Sequence, residues 1–213
     1  MTCVYLLRHG QSLGNIDDLF LGHTDWGLTE LGKKQADCVI NFFKDINIDK
    51  IYSSDLIRAR ETAQPTAENK NLEIIGRENL REIYAGKWEG LSFDEIDKTY
   101  PEMWDIWKKA DGENLRIPDG ESIGELTERI YSEIKALSEE NDGKTLLIAT
   151  HAVAIRCFTN KVLSRPLSKL CETAWVPNAS VSRFVYENGE FKIDFLGNAE
   201  HLGELVTAFP KGV

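Results

Sequence analysis

Apolar residues fall along this chain in short runs separated by longer stretches of helical period. Val4-Tyr5-Leu6-Leu7, the segment from Ile48 to Tyr52, a short stretch near Leu72 to Ile75, and Thr145-Leu146-Leu147-Ile148-Ala149 read as buried strands. A helix from about Thr29 to Lys44 follows the first strand. Another starts in Asp55-Leu56-Ile57-Arg58-Ala59-Arg60-Glu61-Thr62-Ala63 behind a Ser/Asp cap, which puts Arg58 in its first turn. Ser92-Phe93-Asp94-Glu95 and Ser122-Ile123-Gly124-Glu125 have the spacing of capping boxes. The first lies in a helical insert running from Glu82 to about Arg116; the second opens a helix that reaches about Glu140 and is broken by Asn141-Asp142-Gly143. Val181 to Tyr186 and Glu190 to Phe195 flank Asn188-Gly189, a strong hairpin signal. Strands alternating with helices predict the α/β class: a three-layer α/β/α sandwich with a mostly parallel central sheet. No repeat or low-complexity segment divides the chain, so residues 1–213 are expected to form one domain carrying a helical cap insert at about 83–117.

Composition narrows the function. A chain of 213 residues can bury a substantial core. Its formal charge of −10 excludes nonspecific nucleic-acid binding, which needs a basic stripe. Cys3, Cys38, Cys157 and Cys171 show neither C-x-x-C nor zinc-ligand spacing, so they are expected to be reduced, mostly buried thiols. The chain opens on a core strand without a basic-then-apolar leader, and no apolar run has the length of a membrane span; a cytoplasmic protein with no membrane partner is expected.

The chemistry gathers where strands end. The first apolar run delivers Arg8-His9-Gly10-Gln11-Ser12, and the run ending at Ala149 delivers Thr150-His151-Ala152. In an open α/β sheet that edge is where ligands bind. Arginine offers a planar fork of donors for phosphoryl oxygens, glycine permits close backbone approach, and imidazole is a nucleophile near neutral pH. Arg58 at a helix N-terminus favours a bound anion. Trp88, Trp104 and Trp107 fall in the insert, the last two on one helical face; they are expected to anchor the insert on the core, with a cap over the site as the functional alternative. Tyr84, Lys87, Lys108 and Arg116 read as surface residues, although Tyr84 is near enough to Glu82 to touch substrate, and His23 and His201 read as structural.

Several motifs in order carry a resemblance. They are Arg8-His9-Gly10-Gln11-Ser12 with Asn15, Phe20-Leu21-Gly22, Leu28-Thr29-Glu30-Leu31-Gly32 with Gln35-Ala36, and Ser53-Ser54-Asp55-Leu56 with Arg58-Ala59 and Thr62-Ala63. Leu80-Arg81-Glu82 leading to Gly86-Lys87-Trp88-Glu89-Gly90, then Pro118-Asp119-Gly120-Glu121-Ser122, His151, and Asn198 with His201-Leu202 complete them. The chain resembles the histidine phosphatase superfamily, with its phosphoglycerate mutase-like fold, over essentially its whole length. The resemblance implies that His9 becomes phosphohistidine, that Glu82 is the proton donor, and that Arg8, Arg58 and a protonated His151 hold the phosphoryl oxygens. It implies further phosphate or substrate contacts at Asn15, Gln11, Ser12, Gly22 and Ala152. Ala152 departs from the family, which usually has glycine there, and its side chain narrows the approach or changes the dihedral.

The implied activity is that of a metal-independent phosphomonoester hydrolase, a histidine acid-type phosphatase. It would use no cofactor and act on a small phosphorylated metabolite, with a homodimer as the assembly to consider. The stretch Glu82-Ile83-Tyr84-Ala85-Gly86-Lys87-Trp88-Glu89-Gly90 is similar to the phosphatase branch. A cofactor-dependent phosphoglycerate mutase is the alternative, and a noncatalytic phosphate-binding module is disfavoured by the joint presence of His9, Arg58, Glu82 and His151.

Overall fold

The computed structural model describes residues 1–207. Six strands, β1 (Thr2–Arg8), β2 (Lys50–Ser53), β3 (Ile74–Gly76), β4 (Thr145–Thr150), β5 (Val181–Glu187) and β6 (Glu190–Asn198), form one sheet in the order β3-β2-β4-β1-β5-β6. The first four in that order are mutually parallel, and β5 and β6 add an antiparallel hairpin at one edge. The helices are α1 (Leu13–Ile16), α2 (Glu30–Phe43), α3 (Ile57–Lys70), α4 (Phe93–Thr99), α5 (Pro101–Lys108), α6 (Ile123–Glu140) and α7 (Ala152–Val162).

The period-two geometry of strands splits the core into two layers. Val4 and Leu6 of β1 with Leu146 and Ile148 of β4 pack in the cluster that holds Ile130 and Ile134 of α6 and Ile155 and Phe158 of α7. Tyr5, Leu7, Leu147 and Ala149 face the other way, against Val39 and Phe43 of α2 and Ala59 and Ala63 of α3. The result is the three-layer α/β/α architecture, with the carboxyl ends of β1, β2 and β4 side by side.

Local signals set most boundaries. Thr29 Oγ1 accepts from the Gly32 amide (2.9 Å) and starts α2. Both capping boxes form, with the Glu95 and Glu125 carboxylates each accepting from the backbone of Ser92 and Ser122 at 2.9 Å. The hairpin turns at Asn188-Gly189, both at positive φ.

Three expectations need correction. The Ser/Asp cap of α3 does not form: Leu56 is the N-cap, Asp55 pairs with Arg81 (Nε to Oδ1, 2.7 Å), and the Ile57 amide is satisfied by Asp25 from a distant loop (2.6 Å). The insert is not helical from Glu82: Gly86 and Gly90 adopt φ of 46° and 73°, and only a 3₁₀ turn, Gly86–Trp88, precedes α4. A Cβ at Gly86 would run into the Pro118 carbonyl, so close packing on the 117–121 loop holds this bend. Of the cysteines, Cys157 alone is buried; Cys3 and Cys38 are half-buried and Cys171 is exposed, all four as free thiols.

Candidate active site

Strand pairing brings the two histidines together. β1 and β4 run parallel with Arg8 opposite Thr150, so the next residues, His9 and His151, leave the sheet as neighbours with ring centroids 5.3 Å apart. His9 Nδ1 lies 2.7 Å from the Gly10 carbonyl oxygen. A carbonyl can only accept, so Nδ1 carries the proton and Nε2 keeps its lone pair. Burial, then the charges of Arg58 and Arg8, hold the imidazole well below its usual range, and His9 is a neutral nucleophile. His151 Nε2 meets Ser54 Oγ (2.8 Å), at the end of β2, the strand on the other side of β4. Its Nδ1 is buried without a partner among the described residues. Burial and Arg58 hold the His151 imidazole well below its usual range as well; a phosphoryl dianion beside it would favour the protonated form that the resemblance implies.

Two buried guanidiniums flank the histidines. Arg8 donates through Nη1 to the Val176 carbonyl (2.6 Å), and burial brings it down to about 10. Arg58, 1% exposed in the first turn of α3, donates to the carbonyls of Thr24 (2.9 Å) and Gly22 (2.8 Å), and burial likewise brings it to about 10. Both stay cationic near neutral pH.

Glu82 faces them from the loop before the insert. Its carboxyl accepts from the amides of Ile83 (2.9 Å), Val153 (3.0 Å) and Ala154 (3.2 Å), the latter two in the first turn of α7. Burial pushes its pKa above the usual carboxylate range, against the pull of those amides and of Arg58 and Arg8. The backbone beneath it is clamped. Arg129 of α6 donates to the carbonyls of Asn79 (2.9 Å), Arg81 (3.0 Å) and Glu82 (3.1 Å) while forking onto Glu121 (2.7 Å twice), and Glu121 accepts from the Tyr84 amide (2.9 Å). His23 Nε2 donates to the same Glu82 carbonyl (2.9 Å).

His9, Arg8, Arg58 and Glu82 line a solvent-open cleft of about 650 Å³. Arg8, His9, Asn15, Arg58 and Glu82 form one end, with Gly22 and Ala152 beside them. Leu19, Phe20, Leu21, Phe93, Trp107 and Trp175 form the remaining wall. A nucleophile, an acid and two cations converge at one end of an otherwise apolar cleft, which suits in-line displacement at a phosphoryl group.

The sequence pattern of the histidine phosphatase superfamily (branch 1) matches residues 4–199. The chain belongs to that superfamily. It is 31% identical to the probable phosphoglycerate mutase GpmB of Escherichia fergusonii, covering 95% of each chain, and 30% identical to phosphoserine phosphatase 1 of Hydrogenobacter thermophilus over 100% of both. Among solved structures, Bacillus stearothermophilus YhfR superposes with a TM-score of 0.91 at 28% identity, covering 95% of this chain and 100% of that one.

In this member of the superfamily not every expected contact lines the cleft, and fully buried His151 is itself outside the lining. Gln11 is turned away: its side-chain oxygen accepts from Thr29 Oγ1 (2.9 Å), and its backbone N–H donates to Gln35 Oε1 (2.8 Å). Ser12 is fully buried and bonded to Asn15 Oδ1 (3.1 Å), so Gln11 and Ser12 shape the loop while Asn15 lines the cleft. Ala152 is the first residue of α7 and does not have positive φ, so alanine fits the helical backbone without strain.

Trp107 serves in two ways, stacking on Trp104 (6.3 Å, 5°) above buried Trp88 and lining the cleft. Tyr84 is exposed and packs on His23 (5.2 Å), outside the lining. Lys87, Lys108 and Arg116 form surface ion pairs with Asp119, Asp105 and Glu125. Two contributors were missed. Ser54 stood in a motif without a role, and Asn178, which donates to the His9 carbonyl (3.1 Å) and Asn15 Oδ1 (3.3 Å), follows a proline in a loop that carries no pattern.

Proposed function

We propose that this histidine phosphatase is a metal-independent phosphomonoester hydrolase that works through a phosphohistidine on a small phosphorylated metabolite. One observation carries the reading: a neutral imidazole with its Nε2 lone pair free and a carboxyl pushed toward its protonated form face one cleft between two guanidiniums. His9 Nε2 attacks phosphorus, the bond to the leaving oxygen breaks, and Glu82 gives that oxygen its proton. Glu82 then takes a proton from water as the water oxygen attacks, the P–N bond breaks, and phosphate leaves with His9 and Glu82 restored. Arg8, Arg58 and His151 oppose the charge on the phosphoryl oxygens, with Asn15 fixing the loop beside them. No step calls for a metal, because these groups supply the positive charge. The four free thiols support a reducing, cytoplasmic site of action.

Hydrolysis is favoured over transfer because the cations lining the cleft, Arg8 and Arg58, both sit at its phosphoryl end. A mutase must hold a second phosphoryl group and keep water from the intermediate. The likeness to a probable phosphoglycerate mutase makes that isomerase the reading to test against. Phosphate release from a panel of phosphomonoesters with chelator present, beside interconversion of 3- and 2-phosphoglycerate with a bisphosphate primer, separates them. Release without primer or magnesium is expected; efficient interconversion with negligible release would establish the mutase.

A further inference from the structure

Glu89 belongs to the insert motif yet has no part in the chemistry above. It follows the 3₁₀ turn that ends at the buried anchor Trp88, and its carboxylate reaches back to the loop between α1 and α2. Backbone pairing lays the two segments side by side: the Phe20 amide donates to the Leu91 carbonyl and the Gly90 amide to the Phe20 carbonyl, both at 2.9 Å. The loop then turns at Gly22, at φ of 48°, where a Cβ would run into Glu89 Oε1 and the Ala85 side chain.

Both carboxylate oxygens are filled by donors. Oε1 accepts from the backbone N–H of His23 (2.7 Å) and of Ala85 (3.1 Å), and Oε2 from the backbone N–H (2.7 Å) and the hydroxyl (2.5 Å) of Thr24. Among the described residues no Lys or Arg pairs with it. The loop that it fastens is the one whose backbone holds Arg58: Nη1 donates to the Thr24 carbonyl and Nη2 to the Gly22 carbonyl. Neutral carbonyls orient the guanidinium without cancelling its charge, and the negative charge that fixes them stands on the far side of the loop. A carboxylate bonded directly to Arg58 would instead compete with a phosphoryl dianion for it. Each Nη retains a second N–H and Nε its own, the last without a partner among the described residues.

We propose that Glu89 is a positioning residue for the phosphoryl clamp: by binding the 22–24 loop it sets the two carbonyls that aim Arg58, which makes the insert a contributor to anion binding; this rests on the reading of Arg58 as a phosphoryl ligand. The arrangement calls for a carboxylate. Each of its two oxygens accepts from two donors, whereas an amide has one oxygen and an NH₂ group that can only donate. Glu89→Gln therefore keeps the shape and sets donor against donor at one side of the loop.

The test is the affinity of the full chain for inorganic phosphate, measured by titration calorimetry beside the melting temperature, in a cycle of Glu89→Gln, Arg58→Met and the double variant. Glu89→Gln is expected to weaken phosphate binding by about 10-fold, part of the worth of charged hydrogen bonds, and Arg58→Met by more. Because Glu89 acts through Arg58, the double variant should bind no more weakly than Arg58→Met alone. Losses that multiply in the double variant, or a lower melting temperature with phosphate affinity unchanged, overturn the proposal and leave Glu89 as a loop anchor. Should Glu89→Gln not fold, Thr24→Val, which removes the hydroxyl donor alone, takes its place: binding about 3-fold weaker is expected, and unchanged binding overturns the proposal. A wild type that binds no phosphate would instead strike the phosphoryl-site reading itself.

Discussion

At the phosphoryl end of the cleft each functional side chain enters from a sheet edge, a first helical turn or a clamped loop, and each is held by at least one hydrogen bond, although Arg58 Nε and His151 Nδ1 are buried without a partner among the described residues. The opposite wall comes from Phe93 of α4, Trp107 of α5 and Trp175 of a loop, and meets the ligand with apolar surface. The first region is tied to β1, β2 and β4, whose register cannot slip without turning the core residues Val4, Leu6, Leu146 and Ile148 onto the other face. The second rests on a short insert joined to the core through Trp88 and its edge contacts with Phe20, Trp104 and Trp107. Under the proposed hydrolase reading the difference places the chemistry at the sheet edge and the choice of leaving group at the apolar wall, and each region can be perturbed separately.

The largest effect is expected at Glu82. Glu82→Gln keeps the shape and removes the transferable proton, so turnover of alkyl phosphates should fall by about 10²- to 10⁴-fold. Aryl phosphates, whose leaving groups need less protonation, should lose less. Equal losses for both would assign Glu82 a binding or folding role. Arg129→Met should carry the same signature more weakly, up to about 10²-fold on alkyl substrates, because it frees the backbone under the acid. A drop in melting temperature with an unchanged alkyl-to-aryl ratio would show that the clamp serves folding alone.

On the other wall, Trp107→Ala should cut kcat/KM for bulky or apolar leaving groups by about tenfold while sparing the smallest esters. Uniform losses across a leaving-group series would erase the division of labour between the regions. The pH dependence gives the finest distinction. His9 acts as a neutral nucleophile and its pKa is lowered, so kcat/KM should hold on the acid side below the usual imidazole range. Glu82 acts as an acid and its pKa is raised, so activity should decline as pH rises through a value above the usual carboxylate range. An acid limb at ordinary imidazole values would contradict the neutral His9.

The same contrast explains what was legible in the sequence. Arg8-His9-Gly10 and His151 could be placed because an apolar run announces a strand and the next residues must leave the sheet at its ligand-binding edge. Capping boxes at Ser92 and Ser122 are local and were legible for that reason. Ser54 under His151 spans 97 residues and Asn178 under His9 spans 169, and no local pattern encodes such pairings. The α3 cap failed as an expectation for the same cause: the acceptor for the Ile57 amide is Asp25, supplied by tertiary structure in place of the adjacent Asp55. Gln11 and Ser12 belong to the motif yet serve the loop that carries it, a distinction only the hydrogen bonds draw.

The central claim is that His9 Nε2 carries the phosphoryl group. Rapid acid-free quenching during turnover of a phosphomonoester, followed by peptide mass spectrometry, reads it directly. Acid-labile phosphate should be found on the peptide holding His9 and be absent from His9→Ala, which should also lack turnover. Phosphate on His151 instead, or near-wild-type turnover in His9→Ala, would contradict it.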